Sequence, residues 1–316
     1  MKKVILIALV VVVAAGVISL GYVVYREQRA DYGWSPVIDT PAFDEGTGPR
    51  VLVDQAHNNA STIGIAGRYW PFGKLLRADG YRVAKGKDKF TTSLLNETDI
   101  LVIVNASGAP KPQFLGFNLP IGTEGDRSAA AFTTEEVAAI VEWVKQGGSL
   151  LLIADHAPFG AASAGLAEAF GVKMYCGFVE VPDEISDPLL FSDVNGRLGD
   201  HPILTGGPTP VRRVMTFTGQ SLQTADSAAI LLRLPANAVE YIPQAEVEGR
   251  VEMKQQPAGN AQGLAFDFGN GRVVILGEAA MLTAQVYRGE EFGMNRPDCD
   301  NELFARNVMR WLARKL

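Results

Sequence analysis

A run of five apolar residues, Leu150 to Ala154, sits between the double glycine Gly147-Gly148 and the polar step Asp155-His156. Apolar residues in unbroken succession, without alternation, fit a strand buried on both faces, as in a parallel sheet under helices. The flanks agree. Thr133-Thr134-Glu135-Glu136 has the form of a capping box, and Val137, Ile140, Val141 and Val144 recur at helical spacing. Beyond the polar step, the Ala-rich AASAGLAEAF reads as a second helix closing at Gly171. The segment is therefore helix, strand, charged loop, helix. In open α/β sheets ligands bind outside the carboxyl ends of the strands, where Asp155 and His156 stand.

The same grammar recurs along the chain. Val51 to Val53 predicts a first strand, ending in Asp54-Gln55-Ala56-His57-Asn58-Asn59. Ile65 to Ala78 predicts a helix, bent or started near Pro71. Tyr81 to Val83 and Ile100 to Val104 predict two further strands, and a Gly- and Pro-rich loop follows from Asn105 to about Arg127. From 172 to 260 only short strands are expected, at Val211–Phe217 and Ala229–Leu234. Gly263 to Phe268, the turn Gly269-Asn270-Gly271 and Val273 to Leu276 predict a hairpin, leading into Gly277-Glu278. A last helix over Asn301 to Arg314 carries an apolar stripe, with Asp300 as its N-cap. The order predicts a three-layer α/β domain.

Val4 to Val24 holds no charge in 21 residues, enough to cross a bilayer core of ~30 Å. Lys2 and Lys3 precede it, so the N-terminus is expected in the cytoplasm and the body outside. A cleaved signal peptide is the competing reading; its apolar core usually runs ~7–15 residues, and no clean A-x-A site closes this one. The expected organisation is a single-pass transmembrane anchor at 1–25, a polar linker at 26–49 that lifts the body off the membrane, and an α/β domain at 50–316. The net charge is −6, and the body is more acidic than that, because four of the cations lie in the first 29 residues. An acidic body argues against nucleic acid as a partner. Two cysteines, Cys176 and Cys299, are free to pair in an oxidising compartment, and their spacing does not decide it.

Polar groups follow several expected strands: Asp54 and His57, then Ser107, then Asp155 and His156, then Glu278. If the strands are parallel neighbours, these side chains meet at one rim. One reading is a metal site, with Asp54, His57 and His156 holding a divalent ion that activates a water. The other is metal-free acid–base chemistry, with His57 or His156 carrying the proton and Asp155 or Glu278 as partner. Against both stands a structural reading, in which these groups only tie loops and cap helices. Ser107 lacks the G-x-S-x-G setting of a serine nucleophile. His201, before Pro202, reads as a turn residue.

VLVDQAHNN, GGSLLLIADHAPFG, GDHPI, GNGRVVILGEAAMLTAQ and NELFARNVMRWL together resemble the uncharacterised bacterial proteins of the DUF4350 type. These are similar to the class I glutamine amidotransferase-like superfamily, with its ThuA-like proteins and GIFT domains. The resemblance covers about residues 50 to 316 and implies a flavodoxin-like α/β sandwich. It does not extend to cysteine-dependent glutamine hydrolysis, because neither Cys176 nor Cys299 follows the sharp strand–helix turn that chemistry needs. The expected function is a membrane-anchored, extracytoplasmic hydrolase acting on a carbohydrate or envelope component, with His57, His156, Asp155 and Glu278 as its catalytic groups. The alternative is a non-catalytic module that binds a small molecule, a sugar or a protein.

Overall fold

Nine strands share one sheet in the computed structural model, which describes residues 28–316 except 66, 111–112, 115–116, 119–124, 185–186 and 248–249. The expected Val4–Val24 anchor and part of the Asn105–Arg127 loop lie outside the described residues. Among the described residues no helix is long and apolar enough to cross a membrane.

Five strands form the parallel half: β2 (Arg50–Asp54), β3 (Arg82–Gly86), β4 (Ile100–Val104), β7 (Ser149–Ile153) and β17 (Gly271–Leu276). Their order in space is β3-β2-β4-β7-β17. Counted along the chain this is 2-1-3-4-5, the doubly wound order of flavodoxin. The sheet continues antiparallel through β16 (Ala261–Phe268), β12 (Leu222–Gln223) and β8 (Lys173–Met174), with β13 (Ile230–Arg233) also on β16.

Successive residues of each central strand enter opposite cores, as the period of two requires. Val51, Val53, Val102, Leu151, Ile153 and Val274 meet α1 (Trp70–Ala78) and α6 (Asn301–Leu312) on one face. Leu52, Leu101, Ile103, Leu150, Leu152 and Ile275 meet α3 (Thr134–Lys145) and α4 (Phe159–Ala169) on the other, beside the short α2 (Thr92–Asn96). Both faces are covered, which is why these strands are apolar throughout.

The capping box forms as expected: the Thr133 hydroxyl accepts the Glu136 N–H, and Glu136 accepts the Thr133 N–H. The double glycine has two separate causes. Gly147 has a φ of 122°, and a Cβ on Gly148 would lie 2.2 Å from Trp143 Cε2. Of the two expected forms, the helix started near Pro71 is the one that forms: α1 begins at Trp70, and Pro71 sits in its first turn, where no N–H is needed. Asp300 does not cap α6 with its side chain; its carboxylate accepts the N–H groups of Arg212 and Arg213 instead.

The segment expected as a linker, 26–49, is docked on the body over its described part. β1 (Arg29–Ala30) pairs with β18 (Ala284–Tyr287), itself paired with β19 (Glu290–Gly293). Further on, Lys74 donates to the Trp34 carbonyl, and Asp79 accepts the Ala42 N–H. Arg310 binds the Thr40 carbonyl and the Asp79 carboxylate. A polar stretch without periodicity is bound by cations of α1 and α6, which composition alone does not reveal. A second unexpected element is the long hairpin of β14 (Val239–Val247) and β15 (Arg250–Pro257), whose β14 pairs on its other side with β9 (Phe178–Glu180). Two short pairs complete the frame: β5 (Gln113–Phe114) with β6 (Phe117–Asn118), and β10 (Leu189–Ser192) with β11 (Arg213–Thr216).

Candidate functional site

Because β2, β4, β7 and β17 are parallel neighbours, the segments after them leave from one edge of the sheet. They are stitched together there. Asn105 N–H reaches the Ile153 carbonyl, the Asn105 side chain accepts the Asp155 N–H, and Ala154 N–H reaches the Leu276 carbonyl. The polar groups of this rim nevertheless divide into two sets.

The first set is sealed. His57 is buried, its Nδ1 between the two Asp54 oxygens at 2.9 and 3.0 Å and its Nε2 at 2.9 Å from Glu136 Oε1. Its ring stacks on Phe90 at 4.6 Å and tilts against Phe132 at 4.8 Å. Burial by itself pulls the imidazole pKa down, and Lys89 adds to that, but the Asp54 and Glu136 carboxylates more than offset them and leave it raised. With both ring nitrogens occupied, His57 has no lone pair for a metal and no path to a ligand. The expected set of Asp54, His57 and His156 is therefore not assembled. Among the described residues no group of three or more His, Cys, Asp or Glu side chains is placed to hold a metal ion. Ser107 is also committed, its hydroxyl donating to the Ala109 carbonyl at 3.0 Å. His201 caps the short helix α5 (Pro202–Thr205), its Nδ1 accepting the Ile203 N–H.

The second set borders a cavity of about 430 Å³. Asp155 and His156 enter it from the end of β7, Arg68 from the turn before α1, and Phe217 from beyond β11. Tyr287 and Phe292 of the β18–β19 hairpin face them, with Gln28 beside β1 and Asp187-Pro188 before β10. Glu278 is buried next to this wall. Its oxygens accept the Ala280 N–H at 2.6 Å and the Met281 N–H at 2.8 Å. Burial raises its carboxyl well above the usual range, and the charge of Asp155 pushes it further. Asp155 is raised too, by burial first, against the opposing pull of His156, its N–H, Arg68 and the Ala279 N–H. Two desolvated carboxyls facing each other do not both ionise readily, so this pair retains a proton to higher pH than either would alone.

His156 is held differently from His57. Its Nδ1 lies 2.8 Å from the Ala157 carbonyl, which can only accept, so Nδ1 carries a hydrogen and the lone pair of the neutral ring is on Nε2. The ring is fixed by stacking on Phe178 at 4.7 Å and 19°. Gln220 anchors the loop beneath it, donating to the carbonyls of Ala154 and Asp155 and accepting the Cys176 N–H. Cys176 and Cys299 are both free, and burial pushes each thiol up to about 11.

Four of the six groups expected at the rim, Asp54, His57, Asp155 and His156, thus fall two by two into separate environments, with Glu278 behind the second and Ser107 locked in a loop. Arg68, Phe217, Tyr287 and Phe292 carry no motif and come from three separate segments; only the folded chain brings them together.

No protein-family model matches this chain, and no curated protein does. Solved structures resemble it. The mmIFT52 N-terminal domain superposes with a TM-score of 0.55 at 13% identity, over 83% of this chain and 97% of that one. A ThuA-like protein from Bacteroides uniformis gives 0.41 at 15% identity, over 88% and 94%. One from Parabacteroides merdae gives 0.41 at 13%, over 84% and 90%. At these identities the first likeness speaks for the fold alone, a mixed α/β architecture around a large sheet.

Proposed function

We propose that the chain is a membrane-anchored, extracytoplasmic domain whose cavity at Asp155 and His156 takes a small polar ligand of the carbohydrate class and hydrolyses it. The observation that carries this reading is the 2.8 Å contact from His156 Nδ1 to the Ala157 carbonyl: with Nδ1–H tied there, Nε2 is the free nitrogen of a ring on the cavity wall, next to a carboxyl that burial raises. Nε2 takes a proton from the attacking water, and Asp155 gives its proton to the leaving oxygen. Glu278 is the second carboxyl of that pair, which retains a proton to higher pH than a lone carboxyl would. Aromatic faces from Phe217 and Phe292, among arginine and carboxylate groups, suit a polyhydroxylated ligand.

Gln28 lines the same cavity. Val24 lies four positions earlier in the sequence, a reach of at most ~14 Å. An anchor ending there would hold the cavity close to the bilayer, in keeping with an envelope component as substrate. The sequence blocks that resemble DUF4350-type proteins, and through them the amidotransferase-like superfamily, support the fold assignment; the high-pKa thiols give no support to cysteine chemistry.

A second reading, a non-catalytic module for the same ligand, is favoured by one detail. Asp155 Oδ1 already accepts the His156 N–H at 2.8 Å, as a loop-shaping carboxylate would. The full-length chain in nanodiscs, screened against glycosides, esters and amides, separates the two. Turnover lost in both His156→Ala and Asp155→Asn, with binding retained, is the expected result. Turnover that survives both changes overturns the catalytic assignment, and binding with no turnover in the parent selects the second reading.

A further inference from the structure

The hairpin of β14 and β15 leaves one edge open. β14 lies between β15 and β9, and no described strand pairs with the outer side of β15. Val251 and Met253 on that strand are 52% and 44% exposed.

Two prolines reveal which backbone groups face the open edge. Val239 pairs with Pro257, Tyr241 with Gln255 and Pro243 with Met253. Proline has no N–H, so pairs of this parity are the non-hydrogen-bonded ones. The N–H and C=O of Met253 and Gln255 therefore point away from β14. The far side of β14 is consistent with that alternation: Val179, opposite Glu240, sends its N–H away to the Gly219 carbonyl. Such an edge is a template for another strand.

The side chains select the partner. When a second Val251-Glu252-Met253-Lys254-Gln255 is laid antiparallel on the first about Met253, Glu252 faces Lys254 of the copy, and Lys254 faces Glu252. Both cross-strand pairs are then of opposite charge. Two-fold registers centred on Glu252 or on Lys254 would instead set like charges face to face. Charge on an edge usually deters pairing; here alternation of sign makes the edge complementary to itself. We propose that a second copy of this chain docks here, β15 against β15, about a two-fold axis through Met253, as an isologous contact.

The test uses the full-length chain in detergent. In a hydrogen-bonded antiparallel pair the Cα atoms stand ~5.5 Å apart, within disulfide range. Met253→Cys is expected to cross-link to its own copy under oxidation and Val251→Cys far less, above a baseline set by the parent with Cys176 and Cys299. Glu252→Lys and Lys254→Glu should each weaken self-association about tenfold in analytical ultracentrifugation, and the double variant should restore it. All four positions are exposed, so each variant keeps the parent's circular dichroism. A parent that stays monomeric at every concentration, equal cross-linking at positions 251 and 253, or no rescue by the double variant would overturn the proposal.

Discussion

Replacing His57 by Ala tests the sealed network at its centre. The variant keeps Asp54 and Glu136 buried while deleting the cation between them, with 0% of the His57 side chain and 5% of that of Glu136 exposed. Breaking a buried pair from one side costs about 3–5 kcal/mol, chiefly because the remaining charge has no partner. The ring also fills the space between Phe90 and Phe132, so the cavity left behind acts in the same direction. The pH dependence carries the sharper signature. The folded imidazole pKa is raised above its usual 6.5, so its proton stabilises the fold fully below that value and this contribution fades as pH climbs through the folded one. Glu136 behaves in the opposite sense. Burial would raise it, but the Thr133 N–H, His57 and the Phe90 N–H bring it below 4.5, and its contribution is lost as pH falls through the folded value. The difference between parent and His57→Ala should therefore be greatest between about pH 4.5 and 6.5 and shrink toward pH 9. Urea unfolding of both proteins at pH 5.5, 7 and 9 measures it. A loss below about 1 kcal/mol at pH 5.5, or one that grows with pH, would refute the ion-pair reading. Ligand binding in the Asp155–His156 cavity should be unchanged, since His57 does not border it.

Burial lifts the Glu240 carboxyl to about 7, against the Ser221 hydroxyl and the Ser221 and Gly177 N–H groups, so parent stability should fall as pH rises from about 4.5 to 7. Glu240→Gln should remove that slope, a relative gain on the order of 3 kcal/mol across the window if no bond is lost, read by urea unfolding at pH 5 and 8. Gly148→Ala drives a Cβ into the Trp143 ring and should cost about 1–3 kcal/mol, whereas Gly165→Ala, in α4 with nothing within 4 Å, should be neutral to stabilising. Thermal melts of the two variants side by side check both signs.

Elements whose signal is local were readable before folding. The Leu150–Ala154 run, the Thr133–Glu136 capping box and the Gly269–Gly271 turn all lie where their residues predict, since each depends on neighbours a few positions away. The β14–β15 hairpin is not readable from its residues, because Ile242-Pro243 and Gln255-Gln256-Pro257 interrupt the alternation that marks a strand. Its position follows from pairing with β9, some sixty residues earlier in the chain. The docked segment after Gln28 leaves no local signal for a similar reason: Asp79, Lys74 and Arg310, which hold it, lie 37 to 270 residues away.

The two histidines after parallel strands mark where sequence reading ends. Asp54-Gln55-Ala56-His57 and Asp155-His156 look alike as polar steps at the carboxyl edge, yet the fold gives them opposite fates. In a 2-1-3-4-5 sheet the crevice expected to take a ligand lies between β2 and β4, where the strand order reverses. Here that crevice is filled from within. Ser107 N–H binds the His57 carbonyl, Ala60 N–H binds the Asn105 carbonyl, and Asn59 spans from Asp54 to the Val104 carbonyl. Glu136 completes the plug from α3, serving the capping box with one oxygen and His57 with the other. The open cavity is displaced toward the ends of β7 and β17, where the β18–β19 hairpin and Gln28 supply the opposite wall. The N-terminal segment thus has two connections at once: one end leads toward the apolar stretch at Val4–Val24, and the other is a strand of the small sheet that walls the site. Arg29 and Ala30 pair with Val286 and Gln285, so the first described strand joins the β18–β19 hairpin directly.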